Sequence, residues 1–150
     1  MASNDAAATK RQELNNARYW KGQYEKQLQS YRNRYNSNNG KLERIRKVKT
    51  TISGIKDSLE EKAHAQKQHA ENPDTYYGWN GDKQQSTYNM YFGTTPGEYT
   101  YYISTVDNLL DAIIDLETQY ENDNLEMLGL IGKVSGWINS LAGEIEKLLN

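Results

Sequence analysis

The sequence predicts an all-α protein, a long antiparallel helical hairpin whose two arms pack like a coiled coil. Two stretches, 6–70 and 98–150, repeat apolar residues at alternating steps of three and four, which is the spacing of one helix face. A segment containing both prolines and several glycines separates them, and these residues end helices. The two stretches also carry opposite charge, as facing helices often do.

The composition fits a narrow apolar seam better than a thick core. The 150 residues have a mean hydropathy of -0.97, with one Phe and 12 Tyr. We expect a single elongated domain, 1–150, with a first arm at 1–70, a bend and short extra helix at 71–97, and a second arm at 98–150. Cysteine is absent, which excludes disulfides and thiolate chemistry. No signal-peptide core and no membrane-spanning window is visible, so we expect a cytoplasmic protein.

The charge asymmetry predicts how the arms face each other. Residues 1–70 hold 15 of the 18 Lys and Arg and 7 of the 20 Asp and Glu, so the other arm is acidic. The densely basic stretch 41–49 has the charge to bind nucleic acid. An acidic second arm offers a simpler interpretation, because opposite flanking charges set helix pairing and orientation. We therefore predict that 41–49 lies alongside 107–123 with the arms antiparallel, and we expect no nucleic-acid partner.

The first arm has a seam of apolar and aromatic residues at helical spacing. They are Leu14, Ala17, Tyr24, Leu28, Tyr31, Tyr35, Leu42, Ile45, Val48, Ile52, Ile55, Leu59 and Ala63. The segment 36–40 consists of poor helix formers and by itself is typical of a loop. Tyr35 and Leu42 nevertheless stand seven residues apart, so the helical phase is kept across it. We therefore predict a continuous but weakened helix.

The predicted bend is Trp79-Asn80-Gly81. Pro73 stops the helix before it, and glycine and asparagine allow positive φ at little steric cost. We expect Trp79 to be buried there as an anchor. The alternative is an ordinary surface loop.

A short helix over 82–92 would place Tyr88, Tyr91 and Phe92 on one side of the tip. Tyrosine is common in protein interfaces, so these rings are candidates for a partner-binding tip. The alternative is that they close the end of the hairpin, and the sequence leaves both open. We expect a second break over 93–97, so that the next helix begins at Glu98.

The second arm gives the most regular pattern. Its seam runs through Ile103, Val106, Leu110, Ile113, Glu117, Tyr120, Asn124, Met127, Ile131, Val134, Ile138, Leu141, Ile145 and Leu148. A repeat of seven sustained this long predicts packing on a partner helix. Glu117 and Asn124 are its two polar members, and they either fix the register or mark a local opening.

Further apolar residues make the stripe on the second arm wider than one seam. A single facing helix does not cover that width, so this arm is expected to contact something besides the first arm. The candidate partner-binding residues are Leu109, Leu116, Leu128, Ile131, Trp137, Ile138 and Leu149. Four glycines at 129, 132, 136 and 143 would permit close helix approach or bending.

The chain lacks the groups that catalysis needs. His64 and His69 stand five apart, which does not stack them on one helix face. Asp107, Asp111 and Asp115 share a face and would hold a cation weakly, but such rows are more often solvated. We expect no enzyme activity, no catalytic or metal residues and no cofactor.

The order of features resembles the W-x-G helical-hairpin proteins of the type VII secretion system, and most closely the YwqH-like subgroup. A leucine-, lysine- and arginine-rich stretch from Leu42 to Leu59 precedes Trp79-Asn80-Gly81-Asp82-Lys83 and a second long helix. The resemblance implies a small non-enzymatic partner or targeting chaperone that binds the helical LXG domain of a toxin. It also implies a Gram-positive source and a cytoplasmic location, with co-secretion and a second small helical protein in the complex as further options.

This sequence departs from the family pattern in its export signal, a Tyr followed four residues later by Asp or Glu. The nearest form here is Tyr120 with Asn124. That departure favours a chaperone over an independently secreted W-x-G protein. The alternative of another class is a self-associating structural coiled coil, such as a homodimer.

Overall fold

The computed structural model describes residues 2–71 and 95–150, and their side chains at 3–71 and 97–150. Both segments are helical: α1 spans Ala2–Glu71 and α2 spans Thr95–Leu149. The described chain is an all-α helical hairpin, which confirms the predicted fold class. The predicted bend at Trp79-Asn80-Gly81, the short helix over 82–92 and the tip residues Tyr88, Tyr91 and Phe92 lie outside the described residues.

Helix α1 runs without interruption through 36–40, as predicted from the seven-residue spacing of Tyr35 and Leu42. Helix α2 begins earlier than predicted, at Thr95 and not at Glu98. Pro96 therefore lies in the first turn of α2. Proline is tolerated there because the N–H that it lacks would have no partner inside the helix.

Contacts divide the chain into two compact units, each built from both helices. The terminal unit comprises Met1–Leu42 and Gln119–Asn150. Met127 and Val134 are its most deeply buried side chains, and Leu28 and Leu42 lie in the same core. The Tyr24 ring lies 5.1 Å from that of Trp137, and the Lys41 ammonium lies 5.1 Å from the Tyr120 ring. Since early residues of α1 meet late residues of α2, the helices are antiparallel in this unit.

The central unit comprises Glu43–Thr118. Arg46 and Lys49 both bond Glu117, and Lys56 bonds Asp107 at 2.6 Å. Here too a later residue of α1 meets an earlier residue of α2. The prediction that the basic stretch 41–49 lies beside the acidic stretch 107–123, with antiparallel arms, is confirmed.

Two residues assigned to the seam of the first arm lie elsewhere. Val48 and Ile55 are each 49% exposed, whereas their neighbours Lys49 and Lys56 are partly buried. The repeat of seven that passes through Leu42 continues onto these lysines. Their aliphatic stems line the seam while their ammonium groups reach acidic partners, so apolar Val48 and Ile55 are left outside it.

Neither described helix contains a stretch that is both long and apolar enough to cross a membrane.

Candidate helix-binding surface

Glu117 is buried in the seam of the central unit, with only 8% of its surface exposed. It accepts hydrogen bonds from Lys49 Nζ at 2.6 Å and from Arg46 Nε at 3.0 Å. Both bonds hold the pKa of Glu117 below its ordinary value, and the bond from Lys49 has the larger effect. Similarly, the bond to Asp107 raises the pKa of Lys56. A buried carboxylate with two cationic partners fits one alignment of the helices, which favours the register-fixing role over a local opening.

Asn124 is the second polar residue in the seam, and it belongs to the terminal unit. It is 7% exposed, and its Nδ2 donates to Asn39 Oδ1 at 2.7 Å. Next to it, the side chain of Asn38 donates to Asp123, which also accepts from Arg34. The bonds from Asn38 and Arg34 both lower the pKa of Asp123, and the bond from Asn38 has the larger effect. Asn124 Oδ1 is buried and has no hydrogen-bond partner among the described residues.

Two asparagines of the 36–40 segment, Asn38 and Asn39, therefore have a structural use. Asn38 adds a bond to Asp123 beside the bonds from Arg34. Asn39 accepts from the buried Nδ2 of Asn124, which an apolar residue at position 39 would leave without that bond. Cross-helix contacts of this kind offset the poor helix propensity of the segment.

The seven candidate partner-binding residues divide by exposure. Ile131 and Ile138 are seam residues and are partly buried. The other five are between 41% and 59% exposed, namely Leu109, Leu116, Leu128, Trp137 and Leu149. Their exposure makes them accessible to a partner, and their role in binding remains a prediction.

An uncharged edge runs along one side of the central unit. We define it by five exposed residues, each placed one position before a seam residue: Val48, Ile55, Tyr102, Leu109 and Leu116. In an antiparallel helix pair, the positions that precede equivalent seam positions lie on the same side of the seam. Apolar side chains of α1 and α2 thus flank the same groove.

The residues that border the middle of the uncharged edge add no charge to it. They are Thr51, Ser58, Thr105 and Ala112, all exposed. The hydroxyl of Thr51 donates to the Lys47 carbonyl oxygen at 3.1 Å, and that of Thr105 donates to the Tyr101 carbonyl oxygen at 2.9 Å. Both hydroxyl groups therefore donate within their own helices.

The opposite side of the central unit is a paired edge, defined by residues one position after the seam. Arg46 and Asp107 lie there and bond Glu117 and Lys56 respectively, and Lys56 also contacts Glu60 at 3.9 Å. Ile114 is an exposed apolar residue on this edge. The two edges therefore differ sharply in charge although they belong to the same two helices.

The terminal unit carries an aromatic cluster formed by both helices. Trp20 lies 6.1 Å from Tyr24, whose ring contacts that of Trp137, and Tyr19 packs edge-on against Trp20 at 5.4 Å. Lys133 places its ammonium 5.3 Å from the Trp137 ring. Beside the cluster lies an open groove of about 440 Å³, with a mostly apolar lining that includes Trp20. Trp20 is half exposed, so the cluster is a second candidate surface.

The prediction from the sequence missed Trp20, Val48 and Ile55 as surface residues. One signal would have found them: their spacings in the chain are multiples of seven, and each precedes a lysine of the seam. The apolar content of Val48 and Ile55 hid this phase, because apolar residues were assigned to the seam in preference to lysines.

Four glycines of α2 do not serve close packing against the other described residues. A Cβ built at Gly129, Gly132, Gly136 or Gly143 meets nothing within 4 Å. Close helix approach at these positions is thus not made by the described residues.

The described residues contain no group of three or more His, Cys, Asp and Glu placed to hold a metal ion. Of the acidic row at 107, 111 and 115, Asp107 is bonded to Lys56.

Comparisons with protein-family models, with curated proteins and with solved structures find no match for this chain.

Proposed function

We propose that this chain is a non-enzymatic helical partner protein that binds the LXG domain of a type VII-secreted toxin and aids its export. The observation that carries the proposal is a set of exposed apolar residues at helical spacing. They lie beside the seam, where α1 and α2 already pack on each other. These residues include Leu109 and Leu116 on the uncharged edge and Trp137 in the aromatic cluster.

Physical chemistry favours a protein partner for such surfaces. Exposed leucine and tryptophan side chains grouped on one face gain free energy when another apolar surface excludes water from them. Regular spacing along two helices matches another helix better than it matches a small ligand. The resemblance of the Leu42–Leu59 and Trp79-Asn80-Gly81 segments to the YwqH-like subgroup supports an LXG domain as that helical partner.

Co-expression with an LXG domain encoded beside this gene tests the proposal. We expect a tagged chain to co-purify with the domain, to elute with it as one complex of defined mass by light scattering, and to increase its yield in the soluble fraction. An unrelated helical-bundle domain of similar size and charge serves as the control. If the LXG domain fails to bind, or if the control domain binds equally well, the proposal is wrong.

The same light-scattering experiment addresses the alternative of a self-associating coiled coil. A chain that is monomeric alone at micromolar concentration and forms a complex only with the LXG domain supports the proposal. A stable homo-oligomer that does not exchange with the LXG domain supports the structural alternative.

A further inference from the structure

We propose that the uncharged edge of the central unit is the docking site for one amphipathic α-helix of a partner protein. The positions of that helix that contact the edge are apolar or small and repeat every seven residues. This inference rests on the proposed function, because its occupant is a helix of the partner. It adds which surface takes the helix and what chemistry the helix carries.

The spacing of the exposed residues identifies a helix as the occupant. Val48 and Ile55 stand seven apart on α1, and Tyr102, Leu109 and Leu116 stand seven apart on α2. This is a second repeat of seven, next to the one that joins α1 to α2. Two such rows flanking one groove are the arrangement that accepts a further helix in a bundle. The row on α2 is about 21 Å long at ~1.5 Å per residue, which accommodates about four helical turns.

The chemistry of the edge restricts what that helix presents to it. None of the five residues that define the edge is charged, and the hydroxyl groups of Thr51 and Thr105 are bonded to carbonyl oxygens of their own helices. The centre of the edge therefore offers no cation for a phosphate, an anionic lipid or an acidic peptide. A buried polar group of the partner would lose its water without gaining a bond, so apolar or small residues are required at the contact.

The charges that border the edge define the flanks of the partner helix. The α1 border is basic at Arg44 and Lys47, with Glu61 further along, whereas the α2 border is acidic at Glu98 and Asp115; all five are exposed. Complementary charges across an interface steer association and reject wrong partners. We expect the helix to carry acidic residues where it faces Arg44 and Lys47, and basic residues elsewhere along its flanks.

The paired edge provides a matched control within the same unit. Ile114 is 46% exposed there and Leu109 is 48% exposed on the uncharged edge, only five residues away on the same helix. Lysine at either position remains in solvent in the free chain, so both variants should fold. We expect Leu109→Lys, Leu116→Lys and Ile114→Lys to unfold thermally like the wild type.

The probe is a monomeric peptide of 21 residues, held helical by a hydrocarbon staple and labelled with fluorescein. It has leucine and alanine at the positions that repeat every seven residues, glutamate on one flank and lysine on the other. Fluorescence anisotropy measures its binding to the full chain. We expect Leu109→Lys or Leu116→Lys to weaken binding at least about tenfold, and Ile114→Lys to change it less than about threefold. A peptide with glutamine at the repeat positions should not bind.

Any of three results overturns the inference. The wild-type chain binds the leucine and glutamine peptides equally well, or Ile114→Lys weakens peptide binding as much as Leu109→Lys does. The third is a wild-type homodimer that Leu109→Lys converts to monomer. The last result would assign the edge to a second copy. Failure of the LXG domain to co-purify while the peptide results hold would overturn the toxin-partner proposal and leave the docking edge standing.

Discussion

The ammonium group of Lys49 donates to the buried carboxylate of Glu117 at 2.6 Å, and this bond joins two residues that stand in the seams of opposite helices. Arg46 donates to the same carboxylate from the paired edge. The lysine stem fills the position that an apolar residue would normally take, while Val48 beside it faces solvent. One ion pair therefore helps fix the register of the central unit and places an apolar side chain on the uncharged edge.

The Glu117 cluster predicts acid sensitivity. Because its folded pKa lies below the ordinary value of 4.5, its contribution to stability is fully present above about pH 4.5 and is lost as the pH falls through the lower, folded value. Glu117→Gln should lower the thermal midpoint at pH 7, because Lys49 and Arg46 lose their carboxylate partner. It should also reduce the fall in the midpoint between pH 5 and pH 3. Melting curves across that pH range would contradict this if the two proteins lost stability in parallel.

Met127 and Leu128 are neighbours with opposite expected responses. Met127 is 1% exposed, so Met127→Ala should cost about 2–5 kcal/mol through lost burial and a residual cavity. Leu128 is about half exposed, and Leu128→Ala should stay within about 0.5 kcal/mol of the wild type. Urea denaturation measures both. Equal losses at the two positions would mean that the seam of α2 is assigned to the wrong residues.

Asn124 should favour a unique register at some expense in stability. Its Oδ1 is buried without a hydrogen-bond partner in the part of the chain that the structure describes, and a polar residue in a coiled-coil seam commonly specifies alignment. We expect Asn124→Leu to raise the thermal midpoint and to produce more than one set of amide resonances in a ¹H–¹⁵N correlation spectrum. A lower midpoint with a single set of resonances would contradict this role.

Gly40 tests whether α1 is continuous in solution. A Cβ at this position meets nothing within 4 Å, so Gly40→Ala should stabilise the protein by about 0.5–1 kcal/mol through its better helix propensity. Gly54→Ala is a matched control in a part of α1 where the seam pattern is unbroken. If only the control gains stability, the segment 36–40 is not helical in solution.

The fold class could be predicted because the repeat of seven runs through most of α2 and keeps its phase in α1 between Tyr35 and Leu42. The side-by-side packing of the arms followed from their charge asymmetry, since Arg46, Lys49 and Lys56 find acidic partners on α2. The antiparallel direction followed from the predicted hairpin. The sequence prediction places the start of α2 too late, because it treats Pro96 as a helix breaker, although proline is compatible with a first turn.

The surface was harder to predict than the seam. A rule that assigns apolar residues to the interior placed Val48 and Ile55 there, because it gives no weight to the long stems of Lys49 and Lys56. The sequence alone also left open whether Glu117 and Asn124 weaken the seam, because their partners Lys49 and Asn39 lie far away in the chain.

The most direct test of the central claim uses the absence of cysteine from the native sequence. Leu109→Cys and Ile114→Cys each introduce a single thiol, one on the uncharged edge and one on the paired edge. Maleimide labelling rates are measured with and without a saturating LXG domain. We predict at least about tenfold protection of the thiol introduced at position 109 and little change at position 114. Unprotected labelling at position 109 within a verified complex would contradict the assignment of this edge as the docking site.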